Sequence, residues 1–175
     1  LQEKFVLRKF KKRTFIYNEG EPHRYNTFVI KGALRLFAMD DAFREYSLHF
    51  AFENYWTGDL ESFVKGTPSA LCLQAFEDSV VLQITHEDLN EVLEAIPAMY
   101  KPWMLAFQNA LMRANKRILD NIGSTSEARH EDFLEVYKNQ LNRLPDKYTA
   151  SYIGVTPEFY SKLKRESLRK YLKLD

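Results

Sequence analysis

The hydrophobic period of this chain changes once, at Thr85, and only a mixed fold accommodates both halves. Before Thr85, Phe28, Ile30, Leu34 and Leu36 fall on one parity around Gly32, and Tyr46, Leu48, Phe50 and Phe52 alternate with Ser47, His49 and Ala51. Leu71, Leu73 and Ala75 repeat the pattern, and residues 80–84 form an apolar run of strand length. A period of two sends alternate side chains to opposite faces, so these runs predict strands with one buried face. Turn-forming clusters separate them at Asn18-Glu19-Gly20-Glu21-Pro22, Met39-Asp40-Asp41, Thr57-Gly58-Asp59 and Lys65-Gly66-Thr67-Pro68. Many short strands with frequent turns specify a sandwich, jelly roll or barrel, with no helix expected in this segment.

After Thr85 the period is helical. Thr85-His86-Glu87-Asp88 reads as an N-cap with an acidic first turn, followed by Leu89, Val92, Leu93 and Ile96 on one face until Pro97 stops it. A long helix is expected over 98–121, with Pro102 in its first turn. Met104, Phe107, Leu111, Ala114 and Ile118 step along it by threes and fours, and Leu105, Met112 and Leu119 make a second stripe. A helix with two apolar stripes can pack on its own domain and on a second helix at once, although a plain core helix satisfies the same pattern. Gly123 closes this helix, and Ser124-Thr125-Ser126-Glu127 offers a capping box for the next, whose apolar face is Phe133, Leu134, Tyr137 and Leu141. Pro145 interrupts, and two short helices are expected over 146–153 and 157–172.

Composition narrows the function. One cysteine, Cys72, removes disulfide frameworks, four-thiolate clusters and multi-cysteine zinc sites, and the four histidines have no ligand-like spacing. No metal or cofactor is expected. No apolar run approaches membrane-spanning length, and a cytoplasmic location is expected. The formal net charge of +1 is unevenly spread: residues 1–137 carry 16 Lys and Arg against 20 Asp and Glu, whereas residues 138–175 carry 9 against 4. A basic tail on an acidic body suits a polyanionic partner for that tail, and a solvated helical face would give the same balance.

Residues 146–165 fit a helix-turn-helix. Ala150 is small where two helices would cross, and Gly154 can take the positive φ of a tight turn. Ile153, Val155 and Leu163 would fill the space between them. Thr156 is a good N-cap, and Pro157 suits the first helical position. The second helix then presents Glu158, Ser161, Lys162 and Arg165 on one face, as a major-groove reader requires.

The chain resembles the Crp/Fnr family of bacterial transcription regulators along its whole length. Lys11-Lys12-Arg13-Thr14-Phe15-Ile16-Tyr17-Asn18-Glu19-Gly20-Glu21 resembles the family's opening strand and turn. Phe28-Val29-Ile30-Lys31-Gly32-Ala33-Leu34-Arg35 resembles its glycine hairpin, Ala75-Phe76-Glu77-Asp78-Ser79 a later strand, and Tyr152-Ile153-Gly154-Val155-Thr156 with Ser161-Lys162 its recognition unit. The resemblance implies an α+β chain: a cyclic-nucleotide-binding-like β-roll or jelly-roll sensor over 1–96, a dimerisation helix over 97–122 and a helix-turn-helix DNA-binding domain over 123–175. It implies a homodimeric, non-enzymatic regulator of transcription whose partners are double-stranded DNA and RNA polymerase. The dimer interface would use Met104, Phe107, Leu111, Ala114 and Ile118. Thr156, Glu158, Ser161, Lys162, Lys164, Arg165 and Arg169 would contact DNA, with Lys170 among the phosphate contacts.

Departures from the family pattern matter equally. Members that bind cyclic AMP use a Gly-Glu pair for the ribose and a downstream arginine for the phosphate. The matching positions here are Gly58, Asp59, Ser69 and Ala70, so the arginine is missing and the carboxylate is one carbon shorter. The effector is therefore expected to be something other than cyclic AMP, or absent. Lys162 replaces the family's arginine, and Thr149 stands where an apolar residue is usual. The chain ends eight residues past Ser167, which leaves no room for a full wing, and Leu168, Leu172 and Leu174 are expected to extend or pack the last helix. The N-terminus also looks short of the family's first helices. Two other readings share part of the pattern: a nucleotide- or small-ligand-binding adaptor that does not touch DNA, and a cupin-type enzyme, which would need more roll-facing ligands than His49.

Overall fold

The computed structural model describes residues 3–172, with side chains described as far as Arg169. Leu174 and the side chains of Lys170 and Leu172 thus lie outside the described residues. Contacts divide the chain into two compact units, residues 1–109 and 110–175.

The first unit is a roll of two four-stranded antiparallel sheets. One has the order β1 (Val6–Phe10), β8 (Ser79–Thr85), β3 (Tyr25–Lys31) and β6 (Trp56–Thr57). The other has the order β2 (Phe15–Tyr17), β7 (Cys72–Ala75), β4 (Leu34–Met39) and β5 (Glu45–Ala51). Tyr17, Val29, Leu34, Leu36, Ala51, Leu73, Ala75 and Val81 form one continuous core cluster drawn from both sheets. A second cluster, Phe63, Ile84, Leu89 and Val92, seats helix α2 (His86–Ala95) on β8. Thr85 caps α2 as expected, its hydroxyl accepting the Asp88 N–H at 3.1 Å. The tip of Trp103 packs edge-on against Trp56, with ring centres 4.9 Å apart.

Three expectations fail in this unit, each for a local reason. In β3 the inward parity is that of Thr27 and Val29, both fully buried, so the even-numbered Phe28 is half-buried and Ile30 points outward. The register slip between Val29 and Lys31 separates this parity from that of Leu34 and Leu36, which are buried on β4. In β5 an extra residue lies between the partners of Leu36 and Phe37, which are His49 and Ser47. That bulge resets the alternation: Tyr46 and Leu48 are exposed, whereas Ser47, Phe50 and Ala51 are buried. Third, a helix does interrupt the strands, α1 (Leu60–Lys65), started by the Asp59 carboxylate and closed at Gly66.

Arg35, the arginine of the glycine hairpin, is buried on β4. It donates to Glu45 at 2.9 Å and to Gln74 at 3.4 Å and lies 3.9 Å over the Phe37 ring. It is structural cement rather than a ligand contact: its charge is met by a carboxylate and its flat face by an aromatic ring.

Helix α3 (Tyr100–Gly123) carries the two apolar stripes and crosses from the first unit into the second. No residue on it is buried, and Met104, Leu105, Leu111, Met112, Ile118, Leu119 and Ile122 are all exposed. The second unit then holds α4 (Ser126–Val136), α5 (Asp146–Ile153) and α6 (Pro157–Leu172). Phe133, Tyr137, Leu144, Ala150, Ile153, Tyr160 and Leu163 make its core. Thr149, polar where an apolar residue was usual, is buried and donates its hydroxyl to the Pro145 carbonyl at 3.3 Å.

Candidate nucleic-acid interface and effector cassette

The turn between α5 and α6 is built as the sequence predicts. Gly154 has φ +80°, a conformation that costs a side-chain-bearing residue steric strain. Its N–H and that of Val155 both return to the Ala150 carbonyl at 3.0 Å. Thr156 then caps α6 by accepting the Phe159 N–H at 3.2 Å.

Two arginines that the sequence reading passed over hold this turn from behind. Arg129 donates to the Ile153 carbonyl at 2.9 Å and to the Ser124 carbonyl at 2.7 Å. Arg117 donates to the Tyr152 carbonyl at 3.1 Å, and its guanidinium lies 4.2 Å over the Tyr152 ring. The last carbonyls of a helix have no intrahelical partner, and a cation is favoured there by the helix dipole. Arginines at 117 and 129, two helices and one helix before those carbonyls, were a basic signal with no recognisable motif.

On α6 every proposed contact residue is exposed: Glu158, Ser161, Lys162, Lys164, Arg165 and Arg169, along with Thr156 at its start. Their states differ. Lys164 is paired with Asp146 at 2.8 Å, Lys162 has only a distant partner in Glu166 at 3.8 Å, and Ser161 donates to the Pro157 carbonyl at 2.9 Å. Arg165 and Arg169 make no ion pair among the described residues. Beneath the helix His130 is buried with its ring edge-on to Tyr160 at 5.5 Å, and burial pushes its pKa down.

The cassette brings Gly58, Asp59, Ser69 and Ala70 together. One Asp59 carboxylate oxygen accepts the Glu61 and Ser62 N–H groups at 3.0 and 3.3 Å. The other accepts the Ser69 hydroxyl at 2.8 Å and the Ala70 N–H at 3.3 Å. The Asp59 N–H itself donates to the Tyr17 hydroxyl at 2.9 Å, and burial pushes that hydroxyl's pKa up. His23 closes the site from one side. Its Nε2 lies 2.4 Å from where a Cβ on Gly58 would sit, so only glycine fits beneath the ring. Burial lowers the His23 pKa to about 4, and the ring is neutral at physiological pH. No group of three His, Cys, Asp or Glu side chains able to hold a metal occurs among the described residues.

Residues 7–95 match the family model of the cyclic nucleotide-binding domain. No curated protein sequence matches the chain. Among solved structures, FixK2 from Bradyrhizobium japonicum is similar at 19% identity and a TM-score of 0.80, over 95% of this chain and 85% of that one. The c-di-GMP-responsive global regulator CLP from Xanthomonas campestris is 16% identical, with a TM-score of 0.76, over 97% of this chain and 89% of that one. A CooA mutant from Carboxydothermus hydrogenoformans is 15% identical, with a TM-score of 0.78, over 97% and 78%. At such identities the likeness establishes the shared fold, the mixed β-roll and helical architecture of Crp/Fnr-type regulators.

Proposed function

The chain belongs to the cyclic nucleotide-binding domain family, and from that premise we propose that it is a homodimeric transcription regulator that binds double-stranded DNA through α6. The observation that carries this reading is the exposed face of α6: Glu158, Ser161, Lys162 and Arg165 project from a helix whose start is fixed by Thr156, Gly154 and the arginines at 117 and 129. A rigid helix N-terminus with a polar, mostly basic face suits the major groove. Base contacts fall to Glu158, which can accept from a cytosine amino group, and to Ser161 and Lys162. Backbone phosphates fall to Lys164, Arg165 and Arg169.

Two such helices about one DNA turn apart need a two-fold axis, and α3 supplies a surface for it. Its exposed Met104, Leu111 and Ile118, with Phe107 and Ala114 between them, form an apolar seam about two heptads long. The domain division 1–96, 97–122 and 123–175 follows this assignment of roles. RNA polymerase is a further partner under this reading. No helix among the described residues is long and apolar enough to cross a membrane, which accords with a regulator acting in the cytoplasm.

Cyclic AMP does not suit the cassette. Ser69 supplies no charge for a cyclic phosphate, and both Asp59 oxygens are already committed within the protein. Burying a phosphate without a cation is strongly disfavoured. Fluorescence anisotropy on a labelled random-sequence duplex tests the DNA assignment: binding should weaken steeply with salt, and Lys162→Glu with Arg165→Glu should abolish it. Binding that ignores both the charge reversal and the salt would refute the reading.

A further inference from the structure

The roll contains a recess beside the cassette, sharing Tyr17 and His23 with it, at the edge where β1 and β8 face β2. It holds about 200 Å³ and is lined by Arg8, Tyr17, His23, Arg24, Tyr25 and Gln83, with Ile16 and Pro22 completing its walls. Its floor is built from Tyr17, His23 and Gln83, all buried, and Gln83 is fixed by its bond to the Thr27 hydroxyl at 3.1 Å. Its rim carries two exposed guanidiniums. Arg8 lies 5.5 Å from the centre of the Tyr25 ring, and neither Arg8 nor Arg24 makes an ion pair among the described residues. The one carboxylate on the rim, Glu21, is turned back on its own loop, where it accepts the Asn18 N–H at 3.0 Å and the Asn18 side-chain amide at 3.3 Å.

We propose that this recess binds a small aromatic carboxylate, one ring bearing one acid group. The two uncommitted guanidiniums call for a planar oxyanion, which arginine holds in a fork of parallel hydrogen bonds. Tyr25, Tyr17, Ile16 and Pro22 offer flat apolar surface for a ring, and the volume is below the roughly 300–1,000 Å³ of pockets that take larger organic ligands.

The recess is also wired to the cassette. Tyr17 lines it and accepts the Asp59 N–H, and the His23 ring stacks on Tyr17 with centres 4.1 Å apart. The backbone N–H of His23 in turn donates to the Ser62 hydroxyl on α1 at 2.8 Å. A ligand pressing on Tyr17 and His23 therefore acts on the same backbone that a nucleotide would address in a cassette able to hold one. This regulatory consequence rests on the DNA-binding reading above. The binding site itself does not.

Titration of the isotope-labelled full chain with benzoate, followed by amide chemical shifts, tests the site, with inorganic phosphate at matched ionic strength as the probe for bare charge. Saturable shifts at Tyr17, His23 and Tyr25 are expected, with a dissociation constant of about 1 mM or tighter. Arg8→Gln and Arg24→Gln, both at exposed positions, should each weaken benzoate about tenfold while the remaining spectrum stays that of the folded protein. Non-saturating shifts, equal affinity in the arginine variants, or phosphate binding as tightly as benzoate would each overturn the proposal. An anisotropy measurement with saturating benzoate then separates the two assignments. Loss of all DNA binding, with or without benzoate, sinks the regulator reading alone, whereas unchanged DNA affinity with benzoate bound overturns the link from recess to cassette.

Discussion

Residues 58–70 and residues 154–165 are built from the same parts, a glycine, an oxygen-bearing cap and a helix, yet they resolve their polar groups in opposite directions. At the cassette the Asp59 cap faces inward, and its second oxygen is taken by Ser69 and Ala70. At the recognition unit the Thr156 cap satisfies one backbone donor, and the helix that follows leaves its cations in solvent. A turn-and-cap motif therefore does not announce a binding site. What decides is where the valences left over after capping are directed.

The largest effect that would break this contrast concerns the outward-facing region, whose reach over DNA depends on a second copy. Leu111→Asp with Ile118→Asp places charge in the seam of α3 and should give a monomer by sedimentation. DNA affinity should then fall by about 10²–10⁴-fold, because the second half-site is no longer tethered. A variant that stays dimeric would move the interface elsewhere. Next in size is Asp59→Ala, which strips the cassette of its internal acceptor. Four donors lose their partner, and thermal melting should report a loss of roughly 3 kcal/mol, with unit 1 melting first. A loss of a few tenths would mean that the carboxylate is a dispensable surface cap.

The cassette's inward packing also sets a pH dependence. The buried His23 has a folded pKa near 4, below its ordinary value of 6.5, so the unfolded chain takes up a proton first as pH falls. Its contribution to stability is complete above about pH 6.5 and is lost progressively down to about pH 4, to a limit of about 3 kcal/mol. His23→Gln should flatten the stability profile across that window in denaturant titrations, and an unchanged slope would place the ring in solvent.

Smaller effects sharpen the outward side. Glu158→Ala should relax preference at one base pair per half-site by about 1–3 kcal/mol. If Glu158 only complements the helix dipole, the variant melts slightly earlier and keeps its preference. Lys164→Ala should weaken all sequences alike and lower the salt slope by about one unit per half-site. Because Lys164 is held by Asp146 in the free protein, Asp146→Asn should strengthen nonspecific binding modestly, as measured by anisotropy.

The last two helices were legible in the sequence to the residue, those expected over 146–153 and 157–172 being α5 and α6 as observed. By contrast α4 ends at Val136, so Tyr137 only closes it, and Leu141, expected on its apolar face, lies beyond it and is exposed. Helix caps, prolines and positive-φ glycines are local chemistry, and local chemistry is written in neighbouring residues. The roll was legible as a class and misread in detail. A bulge is a property of two paired strands, so nothing in Tyr46-Ser47-Leu48-His49-Phe50 taken alone marks Leu48 as the extra residue. The six-residue α1 was hidden because a single turn and a half carries too few apolar positions to show a period. Asp59 and Ser69 were located by resemblance, but their mutual hydrogen bond depends on the loop returning through Gly66 and Pro68. The supporting arginines 117 and 129 were invisible for the same reason, their targets being backbone carbonyls with no sequence signature.

The most direct test of the central claim, that α6 reads DNA as one of a symmetric pair, is selection of bound duplexes from a fully randomised pool by the full chain. The enriched sequences should converge on an inverted repeat with half-site centres about 10–10.5 base pairs apart, or a whole multiple of that spacing. A pool that shows no enrichment, or that converges on a single site without dyad symmetry, would contradict it.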